Sequence, residues 1–448
     1  MADGLLTRQL KLALKDGVGA ARGARSLVVM AVWVVCGLSA CVAQDPGWLE
    51  GRATYFGAPE AVSRAYDPAR GEGSFGILAY GSCGYTNIGS SGGTLPYPRD
   101  AVAASADANS DYPGSCSRCY EIRCRSGPVL SNSRQPIKIV YGVSGQPPSI
   151  GYFDGDKWRP YLPSINPNVT DENGRPFPGN PGEADNQIVV QCYDEAKSLR
   201  VRVIDSCPCT QVLKEGAPGV KAGGETRRQE WCCGPVTHFD ISYWAMQQLA
   251  HPVTGAIMLN YRPVDCDTGA PVPPNIISPV LYSSTTGIGT GWGWMPYKSN
   301  SAVLTVQGPT PTPGSKSTCI NLQPKGSISF FCRECYRPGF QPLAGKTSFN
   351  FWIRPDNGQT ATVPPLKLFL IQAEVKGYCR SELNLGSSIN PSDSSTVGGR
   401  EWSLFTIPLS EFGCGGSGYP SLAQIDKIEF ENEQTRDVAF CITQAQLV

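Results

Sequence analysis

Histidine is scarce in this chain, which holds only His238 and His251 beside 18 cysteines. Cys116-x-x-Cys119 and Cys332-x-x-Cys335 have the spacing of zinc ligands,. With so little histidine to complete a metal shell, both pairs read as disulfide cysteines, and neither metal nor cofactor is expected. Asp240 lies two residues after His238 and opens Asp240-Ile-Ser-Tyr-Trp-Ala-Met-Gln-Gln-Leu-Ala250, the one stretch with a helical apolar stripe (Ile241, Trp244, Leu249),. Its carboxylate can therefore cap a helix, and capping is compatible with a role in binding.

The N-terminal segment accounts for the cysteines. Arg22 and Arg25 precede an apolar run from Leu27 to Val42 that ends in small residues, the order of a secretory signal peptide cleaved after Ala43,. That run is shorter than the roughly 20 apolar residues a membrane span needs. Its removal takes Cys36 and Cys41 with it and leaves an even number of cysteines for an oxidising compartment,. The expected location is extracellular, and Asn168-Val169-Thr170 is a credible glycosylation site there,. Since 38 Lys plus Arg balance 38 Asp plus Glu, no electrostatic grip on nucleic acid or membrane is expected,.

A length of 448 residues exceeds one ordinary core,. Ten cysteines (83 to 266) precede, and six (319 to 441) follow, the Pro-rich stretch 267–275, so that stretch reads as a linker and each side can pair internally,. Spacing leaves the pairing itself open. Ile137–Tyr141, Ile188–Cys192 and Leu199–Ile204 read as strands before the linker, with a Pro/Gly-rich insertion at about 143–186,. Beyond it, Ser348–Ile353, Leu366–Ile371, Trp402–Ile407, Ile425–Phe430 and Val438–Ile442 alternate with period two, as a β-sandwich requires,. The fold class is all-β and disulfide-rich.

Five signatures occur in order over the first half: Ala53-Thr-Tyr-Phe-Gly57, Gly81-Ser-Cys-Gly-Tyr85, Gly114-Ser-Cys-Ser-Arg-Cys-Tyr-Glu-Ile-Arg-Cys124, Val203-Ile-Asp-Ser-Cys-Pro208 and His238-Phe-Asp-Ile-Ser242. Together they resemble the expansins, which implies a six-stranded double-psi β-barrel with an open polysaccharide groove over residues 44–266. The resemblance extends to the family-forty-five cellulases, in which the position of Asp240 is the general acid. It also puts Asp205 on the second groove aspartate and Thr54 on the threonine beside the acid. Tyr55, Phe56, Tyr85 and His238 fall within the matched motifs as substrate contacts. Apolar neighbours such as Phe239 are expected to raise the pKa of Asp240. Inverting hydrolysis needs a second carboxylate about 6.5–9.5 Å away. The related cellulases carry that base shortly after the threonine, whereas here Thr54 is followed by Tyr55, Phe56, Gly57 and Ala58. Glu60, Asp67 and Glu72, further on, are the substitutes at hand.

Residues 276–448 resemble galactose-binding-like jelly rolls through Gly291-Trp-Gly-Trp294, Phe349-x-Phe-Trp-Ile-Arg354 and Trp402-x-x-Phe-Thr-Ile-Pro-Leu-Ser410. Trp292, Trp294 and Tyr297 are candidates for stacking on pyranose rings, with core packing as the competing reading. The implied function is a secreted cell-wall-loosening protein that binds β-glucan, cellulose or hemicellulose without efficient hydrolysis. The alternatives are a weak endo-β-glucanase using Asp240 as general acid and an inert wall-binding lectin.

Overall fold

A computed structural model describes residues 47–56, 81–85, 97–137, 139–140, 151–154, 157–160, 183–184, 187–213, 222–228, 230–312, 316–356, 363–374 and 377–448. The apolar run 27–42 expected as a signal peptide, Glu60, Asp67, Glu72 and Asn168 lie outside these residues, as do the side chains of the 143–186 insertion.

Six strands close into a barrel: β1 (Leu49–Phe56), β2 (Val102–Ala106), β3 (Cys119–Arg125), β4 (Ser198–Cys207), β5 (His238–Ser242) and β6 (Ala256–Val264). Around the ring the order is β1-β5-β2-β4-β3-β6. Two of the six pairings, β1 with β5 and β2 with β4, are parallel, and the other four are antiparallel. This mixed, closed ring agrees with the barrel expected from the five motifs. Alternation sends Ala53 and Phe239 into the interior, where the Phe239 ring meets Tyr120 at 4.8 Å and Tyr261 at 5.2 Å. Their neighbours Thr54 and Asp240 stay partly exposed. The short helix α1 (Tyr243–Leu249) follows β5 directly.

The later strands are β7 (Val280–Ser283), β8 (Gly293–Gln307), β9 (Lys316–Phe331), β10 (Ser348–Pro355), β11 (Lys367–Gln372), β12 (Asp393–Val397), β13 (Arg400–Pro408), β14 (Lys427–Glu431) and β15 (Val438–Leu447). β9 serves both faces of a sandwich. Its first part, to Leu322, pairs with β15, and its second, from Ser327, pairs with β14. At the crossing the buried Asn432 donates through Nδ2 to the carbonyls of Leu322 and Gln323, at 3.1 and 3.0 Å, and so satisfies groups the ladder releases,. Phe351 on β10 meets Phe430 on β14 edge-on at 5.2 Å and stacks on Phe405 at 5.3 Å, which fills the space between the layers,.

Eight disulfides are seen among the described residues. Five (83–116, 119–266, 124–192, 207–232, 209–233) join cysteines of the barrel half, and three (319–441, 332–335, 379–414) join cysteines of the sandwich half. The Pro-rich stretch folds back on the barrel. Val272 N donates to Pro263 O at 3.1 Å, and Arg200 Nη1 holds the carbonyls of Cys266 and Asp267.

Leu49–Val448 forms one compact unit, and barrel and sandwich touch closely within it. Trp294 N donates to Cys83 O at 3.0 Å, Gly291 N to Cys116 O at 2.8 Å and Gly114 N to Arg333 O at 2.8 Å. Gly84 has φ +84°, and a Cβ there would lie 1.9 Å from the carbonyl oxygen of Trp294. Only glycine meets both conditions. A Cβ on Gly114 (φ +64°) would strike Ile277. The motif glycines Gly84 and Gly114 thus let the second half dock on the first.

Candidate functional site

Thr54, Asp240, Ala104 and Asp205 are register partners across β1, β5, β2 and β4. Residues directly opposite one another share a face of the sheet, so the two aspartates flank Ala104. Two strand spacings separate their backbones by roughly 9–10 Å. The three polar positions named from the sequence are therefore brought into one row.

At one end of the row the residues act as a unit. Arg52 is the register partner of His238 just as Thr54 is of Asp240, so two i, i+2 pairs from strands distant in sequence lie side by side. Thr54 Oγ1 donates to Asp240 Oδ1, and His238 Nε2 lies 3.0 Å from Thr54 Oγ1 and 3.3 Å from Asp240 Oδ1. Arg52 Nε donates to His238 Nδ1 at 3.3 Å. A guanidinium can only donate, so Nδ1 must accept and the ring proton sits on Nε2, facing Thr54 and Asp240. The rest of the Arg52 guanidinium is held by Leu130 O (2.8 Å), Asn132 Oδ1 (2.9 Å) and Trp231 O (2.8 Å), beneath the Trp231 ring at 4.5 Å. Asn109 fixes the His238 backbone from both sides, at 2.9 Å each. The disulfides of Cys232 and Cys233 anchor the turn that carries Trp231.

This arrangement reverses two expectations for Asp240. Burial acts to raise its pKa, but the hydrogen bonds of His238 and Thr54 and the charge of Arg52 outweigh it and hold the carboxyl below its ordinary value,. Phe239, expected to lift it, points into the barrel interior on the opposite face. Nor is Asp240 the helix cap: Ser242 Oγ accepts from Ala245 N at 3.1 Å and caps α1, and Asp240 remains on the strand. His238, with its pKa lowered by burial, is 1% exposed and positions Asp240 without itself facing solvent.

Asp205 has the opposite character. Its pKa is raised by burial, against the pull of amide donors and of Arg333. Oδ1 accepts from Ser82 N at 2.6 Å and from Ser206 N at 2.8 Å.

The aromatic candidates divide by burial. Tyr55 and Phe56 are half-buried, with the Tyr55 ring edge-on to Tyr243 at 5.4 Å. Tyr85 is buried, and its hydroxyl is committed to Ser117 Oγ and Trp292 O. Trp292 and Trp294, candidates for either stacking platforms or core, are 0% and 1% exposed and have no face to offer a sugar. Trp292 Nε1 donates to Ser278 O at 2.8 Å. Tyr297, at 58% exposure, is the one of the three open to solvent.

Cys207, Cys232, His238 and Asp240 converge within 4.8 Å, but the two cysteines are bonded to each other and supply no thiolate for a metal,. The sequence reading missed Arg52, Asn109, Trp231 and Ser82. For Arg52 a signal existed: Arg52-x-Thr54 and His238-x-Asp240 each place two polar side chains on one face of a strand,.

No family model matches the chain. Among solved structures it is similar to a family 29 carbohydrate-binding module (13% identity, 38% of this chain and 86% of that chain, TM-score 0.22). It is also similar to a family 29 module complexed with mannohexaose (14% identity, 38% and 89%, TM-score 0.22). A third is the family 11 carbohydrate-binding module of a cellulosomal cellulase of Clostridium thermocellum (14% identity, 37% and 91%, TM-score 0.24). Likeness at these TM-scores leaves the functional reading to the geometry of the site.

Proposed function

We propose that the row Thr54–Asp240–Ala104–Asp205 is the floor of a polysaccharide groove, and that the protein is a secreted, expansin-like wall-loosening factor that binds β-glucan without efficiently cutting it. The observation that carries this reading is the wiring of Asp240. A general acid must hold a proton at the working pH, whereas Asp240 is kept ionised by His238, Thr54 and Arg52,. An ionised, immobilised carboxylate is instead a fixed acceptor for sugar hydroxyls, and half-buried Tyr55 and Phe56 supply neighbouring apolar surface,. Secretion rests on the signal-like N-terminus and on the disulfides, and among the described residues no helix is long and apolar enough to cross a membrane. Glycosylation at Asn168 belongs to the same reading.

One observation favours a second reading. The two aspartates have pKa values displaced in opposite directions and stand two strand spacings apart, as the acid and base of an inverting glycosidase do,. Asp205, not Asp240, would then be the acid. The test measures creep of wall strips under constant load together with release of reducing ends from soluble β-glucan, for wild type, Asp240→Asn and Asp205→Asn. Creep without sugar release, reduced at least ten-fold in Asp240→Asn, is the expected result. Sugar release abolished in Asp205→Asn would replace it with hydrolysis, and binding to wall material without creep would leave only a lectin.

A further inference from the structure

On the sandwich, beside its contact with the barrel, lies a cavity of about 440 Å³, within the range of small-molecule sites,. Its walls combine apolar and polar groups. Phe331, Tyr336 and the 43%-exposed Met295 offer rings and a thioether. Glu374 and Asp426 bring carboxylates, and Arg333 a guanidinium. Asp426 is 3% exposed, its Oδ1 accepts from Ala373 N at 2.8 Å, and burial lifts its pKa to about 6.

We propose that this cavity is a second saccharide site, taking one or two neutral hexose units of a glucan chain. The proposal rests on the polysaccharide reading of the groove and extends it to a separate surface. A pyranose presents an apolar C–H face and a ring of hydroxyls, the two chemistries that these walls supply. An anionic ligand is disfavoured. Glu374 and Asp426 line the space beside Glu334, which is paired with Arg337 at 2.6 Å, and neither lining cation is free: Lys427 is paired with Glu429 at 2.6 Å, and Arg333 Nη2 donates to Ser82 O at 2.6 Å. The same Ser82 donates its amide to Asp205, so one residue lies between the cavity wall and the groove carboxyl. The site on the sandwich thus follows from residues the sequence reading passed over, while the tryptophans it selected form the core.

Met295 provides a reporter, because it lines the cavity while the other described methionines, Met246 and Met258, are buried in the barrel. The experiment titrates cellohexaose into the full mature protein carrying 13C-methyl methionine and follows the Met295 signal by NMR, with retention by insoluble cellulose measured in parallel. The Met295 signal is expected to shift saturably in wild type and equally in Asp240→Asn. In Tyr336→Ala and in Glu374→Gln the affinity read at Met295 should fall at least ten-fold, while Asp240-dependent retention by cellulose persists. An unmoved Met295 signal alongside Asp240-dependent retention overturns the cavity site and leaves the groove reading intact. Absence of both overturns the two together.

Discussion

Asp240 and Asp205 flank the same alanine, yet their surroundings push them in opposite directions. Asp240 is served by side chains that donate, namely His238 and Thr54, with Arg52 behind. Asp205 is served by backbone amides, of Ser82 in a turn and of Ser206 on its own strand, and is dominated by burial. The difference shows that the ionisation of each carboxyl is set by a neighbour on its own strand, His238 or Ser206, together with what the rest of the chain delivers to it. Beyond its own strand, the supplier for Asp240 is β1, through Thr54 and Arg52, and for Asp205 it is the turn at Ser82, itself pressed against the sandwich by Arg333.

The largest effect should come from cutting the first supply line. Arg52→Ala removes a buried guanidinium and orphans the acceptors at Leu130, Trp231 and His238, a loss of about 3 kcal/mol or more visible in thermal denaturation,. In the same variant, carboxyl titration by NMR should find Asp240 moved up toward Asp205, with Asp205 unmoved; a stationary Asp240 would show that Arg52 only supports the fold. Next comes the second supply line. Gly84→Ala places a methyl against the Trp294 carbonyl at a left-handed backbone position and should cost roughly 2–3 kcal/mol,. Here Asp205 should change its titration while Asp240 keeps its own, and movement of Asp240 alone would refute the separation of the two lines.

The smallest effect is a contrast of pH slopes. Asp240, lowered from 3.8, adds stability above its unfolded pKa that is lost as pH falls through the folded value,. Asp205, raised from 3.8, adds stability below the unfolded pKa that is lost as pH rises through the folded value,. Between pH 3 and 7, Asp240→Asn should therefore lose Tm relative to wild type as pH rises, and Asp205→Asn should gain. Parallel slopes for the two variants would contradict the contrast.

How much of this was legible varies with the range of the contact. The strands at 348–353, 366–371, 402–407, 425–430 and 438–442 were plain from period-two alternation, a local property,. The pairing of His238-x-Asp240 with Arg52-x-Thr54 spans 184 to 186 residues, and no local pattern announces it. The expected influence of Phe239 failed for a reason that was available, since an adjacent residue on a strand faces the other way. Trp292 and Trp294 misled because exposed and buried rings look alike in sequence. Their glycine neighbours were the clue: Gly291 and Gly293 stand where a Cβ would strike Ile277 and Phe331, the mark of a crowded interface,. The long hairpin of β8 and β9 escaped notice because neither strand holds one apolar face along its length.

The ring topology has a bearing on biosynthesis. β1 has no barrel partners except β5 and β6, and Thr54 waits for Asp240, 186 residues later. At about 5–20 residues per second on the ribosome, that wait lasts roughly 10–40 s, with the edges of an open sheet exposed meanwhile. The row of Thr54 and Asp240 is thus made by the act that closes the barrel. A molecule in which Thr54 meets Asp240 has, by that fact, closed its ring.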